Sequence, residues 1–293
     1  MGDAERLEWV RPKSYAGMVL EAQHTKESSA FFLVGYGATR RVEHGRRVDF
    51  SLRHKTRVSR YERVAGLFEE HYSLIPLSSW LPGYASRNPG RYKQVAGLFN
   101  KLLPSSCRMH SSVLELSEGG EIMFEMSGID VPFRALSDGF RAYIGWIGDM
   151  LYHLCMGAPS GRKLVDNKGV VLIDEIDLHL HPEWQRLVLP ALSEALPNIQ
   201  FIVTSHSPLV VGSLEQQNIQ RLEVTDQGAI SRSYPERVHG KSAGQLLLSP
   251  YFGLESTRAP DVSKRLDELR KRRETGSATA ALEYLELLSS GEL

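Results

Sequence analysis

The sequence predicts an α/β protein with a P-loop NTPase-like parallel sheet, and three segments carry that prediction. Val170-Val171-Leu172-Ile173 is a continuous apolar run after the turn-like Asp166-Asn167-Lys168-Gly169, the pattern of a strand covered on both faces. A helical pattern follows from Pro182 to Leu196. Ile199 to Thr204 then reads as a second buried strand, and strand, helix, strand in that order is the βαβ unit.

Composition agrees with a globular chain. The 293 residues hold 35 Lys+Arg against 35 Asp+Glu, with 42% hydrophobic and 24% charged, which sets aside the disordered, collagenous and membrane classes. Cys107 and Cys155 are too few for a disulfide framework; they suit a reducing compartment and are expected to be buried packing residues. The opening MGDAERLEWV carries charges where a signal peptide needs an apolar stretch. No apolar run approaches the roughly 20 residues that span a bilayer, so a cytoplasmic protein without a membrane partner is expected.

The remaining elements follow in chain order. Residues 40–63 carry nine basic side chains (Arg40, Arg41, Arg46, Arg47, Arg53, Lys55, Arg57, Arg60, Arg63) against three acids, either a solvated face or a surface for DNA phosphates. Tyr61, Val64, Leu67 and Phe68 recur at helical spacing, and a short helix is expected from Gln94 to Leu103. The Gly- and Pro-rich LPGYASRNPGR between them reads as a loop. VLELS at 113–117 and EIMFEM at 121–126 read as a hairpin around Glu118-Gly119-Gly120. A helix capped by Ser137 or Asp138 runs to about Cys155, with Phe140, Tyr143, Ile144, Ile147, Leu151 and Leu154 as its buried stripe. A second hairpin is expected at 219–225 and 229–234, and one or two charged helices from Asp261.

Three motifs carry chemistry. The apolar strand ending in Asp174-Glu175 puts two carboxylates at the carboxyl edge of a sheet, a Walker B pattern in which the first suits Mg²⁺ and the second activates a water. A strand that simply ends in solvated acids has the same sequence. The second strand ends in Thr204-Ser205-His206-Ser207, which places His206 at the same edge, within reach of a terminal phosphate or as a structural cap. Leu136-Ser137-Asp138-Gly139-Phe140-Arg141 opens a helix with a Ser and a Gly, leaving backbone amides to meet an anion, as any capped helix does.

LSDGFR, VVLIDE and TSHS resemble the signature motif, Walker B and switch histidine of ABC-type ATPases. LIDEIDLHLHPEWQ followed by IQFIVTSHSPLVV, with FLVGYGATRR and GKSAGQLLLSPYFGLESTR, is similar to the RecF/OLD/SMC-like branch of AAA-family ATPases found in DNA repair and phage defence. The resemblance implies ATP and Mg²⁺ as cofactors, Asp174 on the metal, Glu175 as catalytic base and His206 on the γ-phosphate. It implies that Ser137 and Gly139 contact the nucleotide of a facing head, that Asp177 crosses the dimer interface, and that a nuclease or other effector is partnered. It divides the chain into an incomplete N-terminal part of the ATPase head with a helical insertion (1–112), the ABC-type core (113–235) and a helical tail (236–293).

The departure is the phosphate-binding loop. GxxxxGK[ST] is absent, and Gly240-Lys241-Ser242 is a decoy with Pro235 where the first glycine belongs. The chain therefore reads as the C-terminal portion of a longer ATPase, or as a non-hydrolysing partner lending its signature helix. Asp174-Glu175-Ile176-Asp177 also spells a DExD helicase box, against which LSDGFR and the lack of an HRxGR-type segment count. His179 and His181 lack a third ligand at metal spacing, so packing or surface roles are expected.

Overall fold

The computed structural model describes residues 32–42, 63–69, 73–110, 122–158, 161–226 and 228–289. The 113–117 arm of the first expected hairpin with its turn, Tyr61 and most of the basic block lie outside them. The chain divides into two compact units, Met1–Ser213 and Leu214–Leu293.

In the first unit, strand β1 (Phe32–Tyr36) is followed by the two-residue strands β2 (Arg41–Val42) and β3 (Ser73–Leu74), which pair in parallel. Helices α1 (Leu77–Arg87) and α2 (Pro89–Leu102) come next, then an antiparallel sheet of β4 (Cys107–Met109), β5 (Met123–Met126) and β6 (Ile129–Pro132). Helix α3 (Asp138–Gly157) leads to β7 (Gly169–Ile173), α4 (Pro182–Ala195), β8 (Ile199–Val203) and the single turn α5 (Pro208–Val211). The parallel sheet has the order β1-β7-β8, with Tyr36 opposite Ile173 and Ile173 opposite Val203. All three strands thus end at one edge.

Several expectations are corrected. LPGYASRNPGR is helical: Leu77, Trp80, Leu81, Tyr84 and Ala85 bury one face of α1, and that burial overrides Pro82 and Gly83. The next helix begins at Pro89, five residues before Gln94, because a proline suits the first helical position, where no N–H is needed. The segment 123–126 forms its described hairpin with β6 across Ser127-Gly128, both at positive φ. Strand β8 is not buried on both faces: it pairs only with β7 among the described residues, and Ile202 is 52% exposed.

Helix α3 is more deeply set than an amphipathic stripe requires, with every residue from Tyr143 to Cys155 buried. That includes Asp149 and His153. A buried carboxylate must be matched by donors, and Asp149 receives Tyr36 Oη at 2.9 Å and the Ile75 amide at 2.7 Å, with His153 Nε2 3.5 Å away. The carboxylate thus fixes the ends of β1 and β3 against α3.

In the second unit, β9 (Arg221–Thr225) and β10 (Gly228–Arg232) form the expected hairpin. Helix α6 (Ala243–Leu247) is capped by Ser242, which exchanges hydrogen bonds with Gln245, and Lys241 pairs with Glu236, so Gly240-Lys241-Ser242 has local structural work. Helices α7 (Pro260–Glu274) and α8 (Ala278–Ser289) pack together, joined by the Arg265–Glu283 ion pair at 3.1 Å.

Candidate functional site

The site is built where β7 and β8 end. The ladder runs one step past each strand: Asp174 N donates to Tyr36 O (2.8 Å), Thr204 N to Ile173 O (3.0 Å) and Ile176 N to Thr204 O (3.0 Å). Side chains then replace the ladder. Thr204 Oγ1 donates to Asp174 Oδ1 at 2.5 Å and accepts the Glu175 amide at 2.8 Å.

From the opposite side comes Arg40, with Nη1 donating to Asp174 O (2.9 Å) and Nη2 to Glu175 O (2.7 Å). It is delivered by the turn after β1, where the Gly37 amide meets Gly66 O at 2.9 Å and a β-carbon on Gly37 would lie 2.3 Å from that oxygen. Burial lowers the Arg40 guanidinium from its ordinary value, and the nearby Asp174, Glu175, Tyr36 and Asp177 act in the other direction. A guanidinium stays protonated regardless.

Glu175 has φ +48°, the left-handed region, which costs a non-glycine residue about 1–2 kcal/mol. Its carbonyl also accepts the Leu178 amide (3.1 Å), and Leu180 N donates to Asp177 O (3.0 Å), winding 175–180 into successive turns. Asp177 Oδ1 is buried without a hydrogen bond among the described residues. His179, also left-handed at φ +65°, turns its carbonyl onto Gly139, where a β-carbon would come within 2.9 Å. The start of α3 therefore rests on this loop, and Phe140 stacks edge-on against Trp184 at 4.1 Å.

Ser137 is the N-cap of α3, accepting the Phe140 amide at 3.5 Å, and is exposed. His206 is exposed two residues beyond Thr204. The next residue, Ser207, donates to Gln185 Oε1 (2.7 Å), while Gln185 Nε2 donates to Leu180 O (2.9 Å), so the switch segment and the 175–180 loop share one glutamine. His181 Nδ1 accepts the Glu183 amide at 3.4 Å as the cap of α4.

The carboxylates suit a hard cation that keeps waters. Asp174 Oδ2 takes no hydrogen bond among the described residues, and Mg²⁺ needs only one or two carboxylates beside phosphate oxygens and water. No cluster of three or more His, Cys, Asp or Glu side chains able to hold a metal occurs among the described residues. Asp174, Glu175 and the His206 segment thus share the edge, Asp177 follows one turn on, and Gly139 meets the loop from α3. Sequence places Arg40 only in the basic block, on a solvated or DNA-facing surface, and Thr204 only at the end of β8; Arg40 instead turns its guanidinium onto Asp174 O and Glu175 O. Their signals were faint: an arginine after the FLVGYG run, and a hydroxyl two positions before a histidine.

Residues 40–212 match a protein family described as "AAA domain, putative AbiEii toxin, Type IV TA system". The chain is 34% identical over 165 residues to the "Retron Ec83 probable ATPase" of Escherichia coli, covering 55% of this chain and 29% of that protein. It is 30% identical over 162 residues to the "Septu protein PtuA" of Bacillus thuringiensis, covering 53% and 40%. It therefore spans less than half the length of either relative. Among solved structures, the SMC head domain from Thermotoga maritima aligns at 17% identity over 57% of this chain and 55% of that one, with a TM-score of 0.36. With more than half of its residues matched, the chain belongs to this AAA-domain family.

Proposed function

We propose that the chain is an ATPase head that binds and hydrolyses ATP between two heads and so gates an effector in phage defence or DNA repair. The observation that carries this reading is the one sheet edge at which Thr204 ties Asp174, Glu175 and the His206 segment together. Family membership and the Escherichia coli relative named as a probable ATPase support it.

In this reading Asp174 holds Mg²⁺, which when bound neutralises charge on the phosphate oxygens. Glu175 takes the proton of the attacking water, and His206 contacts the γ-phosphate. Ser137 and Gly139 meet the nucleotide of the facing head, and Asp177 crosses between heads. The reading also covers the cytoplasm as the setting, a nuclease or other effector as partner, and DNA as the ligand of the basic block at residues 40–63 apart from Arg40, whose guanidinium is taken by Asp174 O and Glu175 O. No helix among the described residues is long and apolar enough to cross a membrane.

Glu175→Gln is the test. Removing the base while Asp174 stays should lower turnover by about 100-fold or more, with ATP affinity kept and ATP-stabilised dimers accumulating. Unchanged phosphate release would take Glu175 out of the base role. A second reading, a non-hydrolysing partner lending its signature helix to a complete ATPase, is favoured by one observation: no GxxxxGK[ST] occurs in the 293 residues.

A further inference from the structure

We infer that Arg40 and Thr204 are positioning residues that lock the backbone of Glu175 from two sides and so fix where its carboxylate stands. The inference rests on the reading of Glu175 as the base of an ATPase. A glutamate at φ +48° is held against its own preference, because its β-carbon crowds the backbone there. Such a conformation persists only where neighbours over-determine it.

Both backbone polar groups of Glu175 are taken by side chains from elsewhere in the chain. The amide donates to Thr204 Oγ1 at 2.8 Å, and the carbonyl accepts Arg40 Nη2 at 2.7 Å. Each partner also grips the preceding residue: Thr204 donates to Asp174 Oδ1 at 2.5 Å, and Arg40 Nη1 donates to Asp174 O at 2.9 Å. The threonine hydroxyl uses its donor and its acceptor, and the guanidinium spans two successive carbonyls with its fork. A lysine offers a point charge and cannot reproduce that fork.

The position of Arg40 is itself fixed, since Gly37 lies against Gly66 O too closely for a side chain. The fixed direction of the Glu175 side chain follows. The Cα–Cβ bond turns with the backbone, so release of either partner lets the carboxylate swing away while Asp174 stays in the β-ladder through its own amide. Thr204 and Arg40 should therefore affect the rate of the chemical step more than the binding of nucleotide.

The experiment compares Thr204→Val, Thr204→Ser and Arg40→Lys in the full chain. Hydrogen exchange is read on the fragment spanning 174–178 and on the strands at 169–173 and 199–203. Loss of the Thr204 hydroxyl should speed exchange of the Glu175 amide by about tenfold without changing the strands. In the ATP-hydrolysing assembly, kcat should fall by roughly 10- to 100-fold for Thr204→Val and Arg40→Lys, with KM for ATP within about twofold. Thr204→Ser, which keeps the hydroxyl, should restore both.

Wild-type exchange at 174–178, wild-type kcat in Thr204→Val and Arg40→Lys, or a Thr204→Ser variant as impaired as Thr204→Val would each overturn the inference. Thr204→Val that loosens the strands as well would assign the hydroxyl to general stability and also overturn it. Glu175→Gln, assayed alongside, separates the two readings. Turnover that survives Glu175→Gln defeats the ATPase base, whereas turnover stopped by Glu175→Gln and untouched by Thr204→Val and Arg40→Lys defeats only the positioning role.

Discussion

Burial lifts the thiols of Cys107 and Cys155 from an ordinary value of 9.0 to about 11. For Cys155, contact with Tyr84 and Arg91 partly offsets the burial. Because each folded thiol holds its proton more tightly than the unfolded one, the stabilising contribution is complete below pH 9 and is lost as pH rises towards 11. The denaturation midpoint should fall across that window, and a thiol reagent at neutral pH should label neither cysteine until the chain is unfolded; rapid labelling of the native chain would refute the burial. The cysteines were legible because two thiols without a pairing pattern suit only packing. Arg40 and Thr204 were not, since their work depends on contacts 135 and 29 residues away, between backbone and side chain, which no local pattern records.

Among the elements, β7, α4 and the β9–β10 hairpin were legible because each keeps one period and is bounded by turn residues. Helix α1 was not, because Pro82 and Gly83 are local stop signals whose cost is outweighed by a buried face visible only in three dimensions. The exposure of β8 was equally hidden, since a βαβ pattern does not say which strand ends a sheet. Helix α3 presents the sharper case. Five of its six expected stripe residues are buried and Phe140 is half-buried, yet periodicity assigns a polar residue to solvent, and Asp149 has 0% exposure. Replacing Asp149 with alanine leaves Tyr36 Oη and the Ile75 amide without their acceptor, and should destabilise the chain by about 3–5 kcal/mol. Urea denaturation checks this; a loss below about 1 kcal/mol would match an ordinary surface change instead.

For the whole molecule, the proposed function makes the carboxylates at the sheet edge one half of a nucleotide site. Holding the β- and γ-phosphates takes a cradle of amides and a lysine, and the 293-residue sequence contains no GxxxxGK[ST] to form one. Calorimetry of this chain with ATP and Mg²⁺ should give a Kd on the order of 1 mM, about −4 kcal/mol. Addition of a head that carries the loop should tighten it. Micromolar binding by the chain alone would mean that another part of the sequence cradles the phosphates. The contact between Gly139 and the carbonyl of His179 bears on what a larger residue there would do. Side chains yield by changing rotamer, but here two main chains abut with no methyl between them. An alanine there would have to displace the His179 carbonyl, so Gly139→Ala should shift the start of α3 away from the loop that carries Asp177.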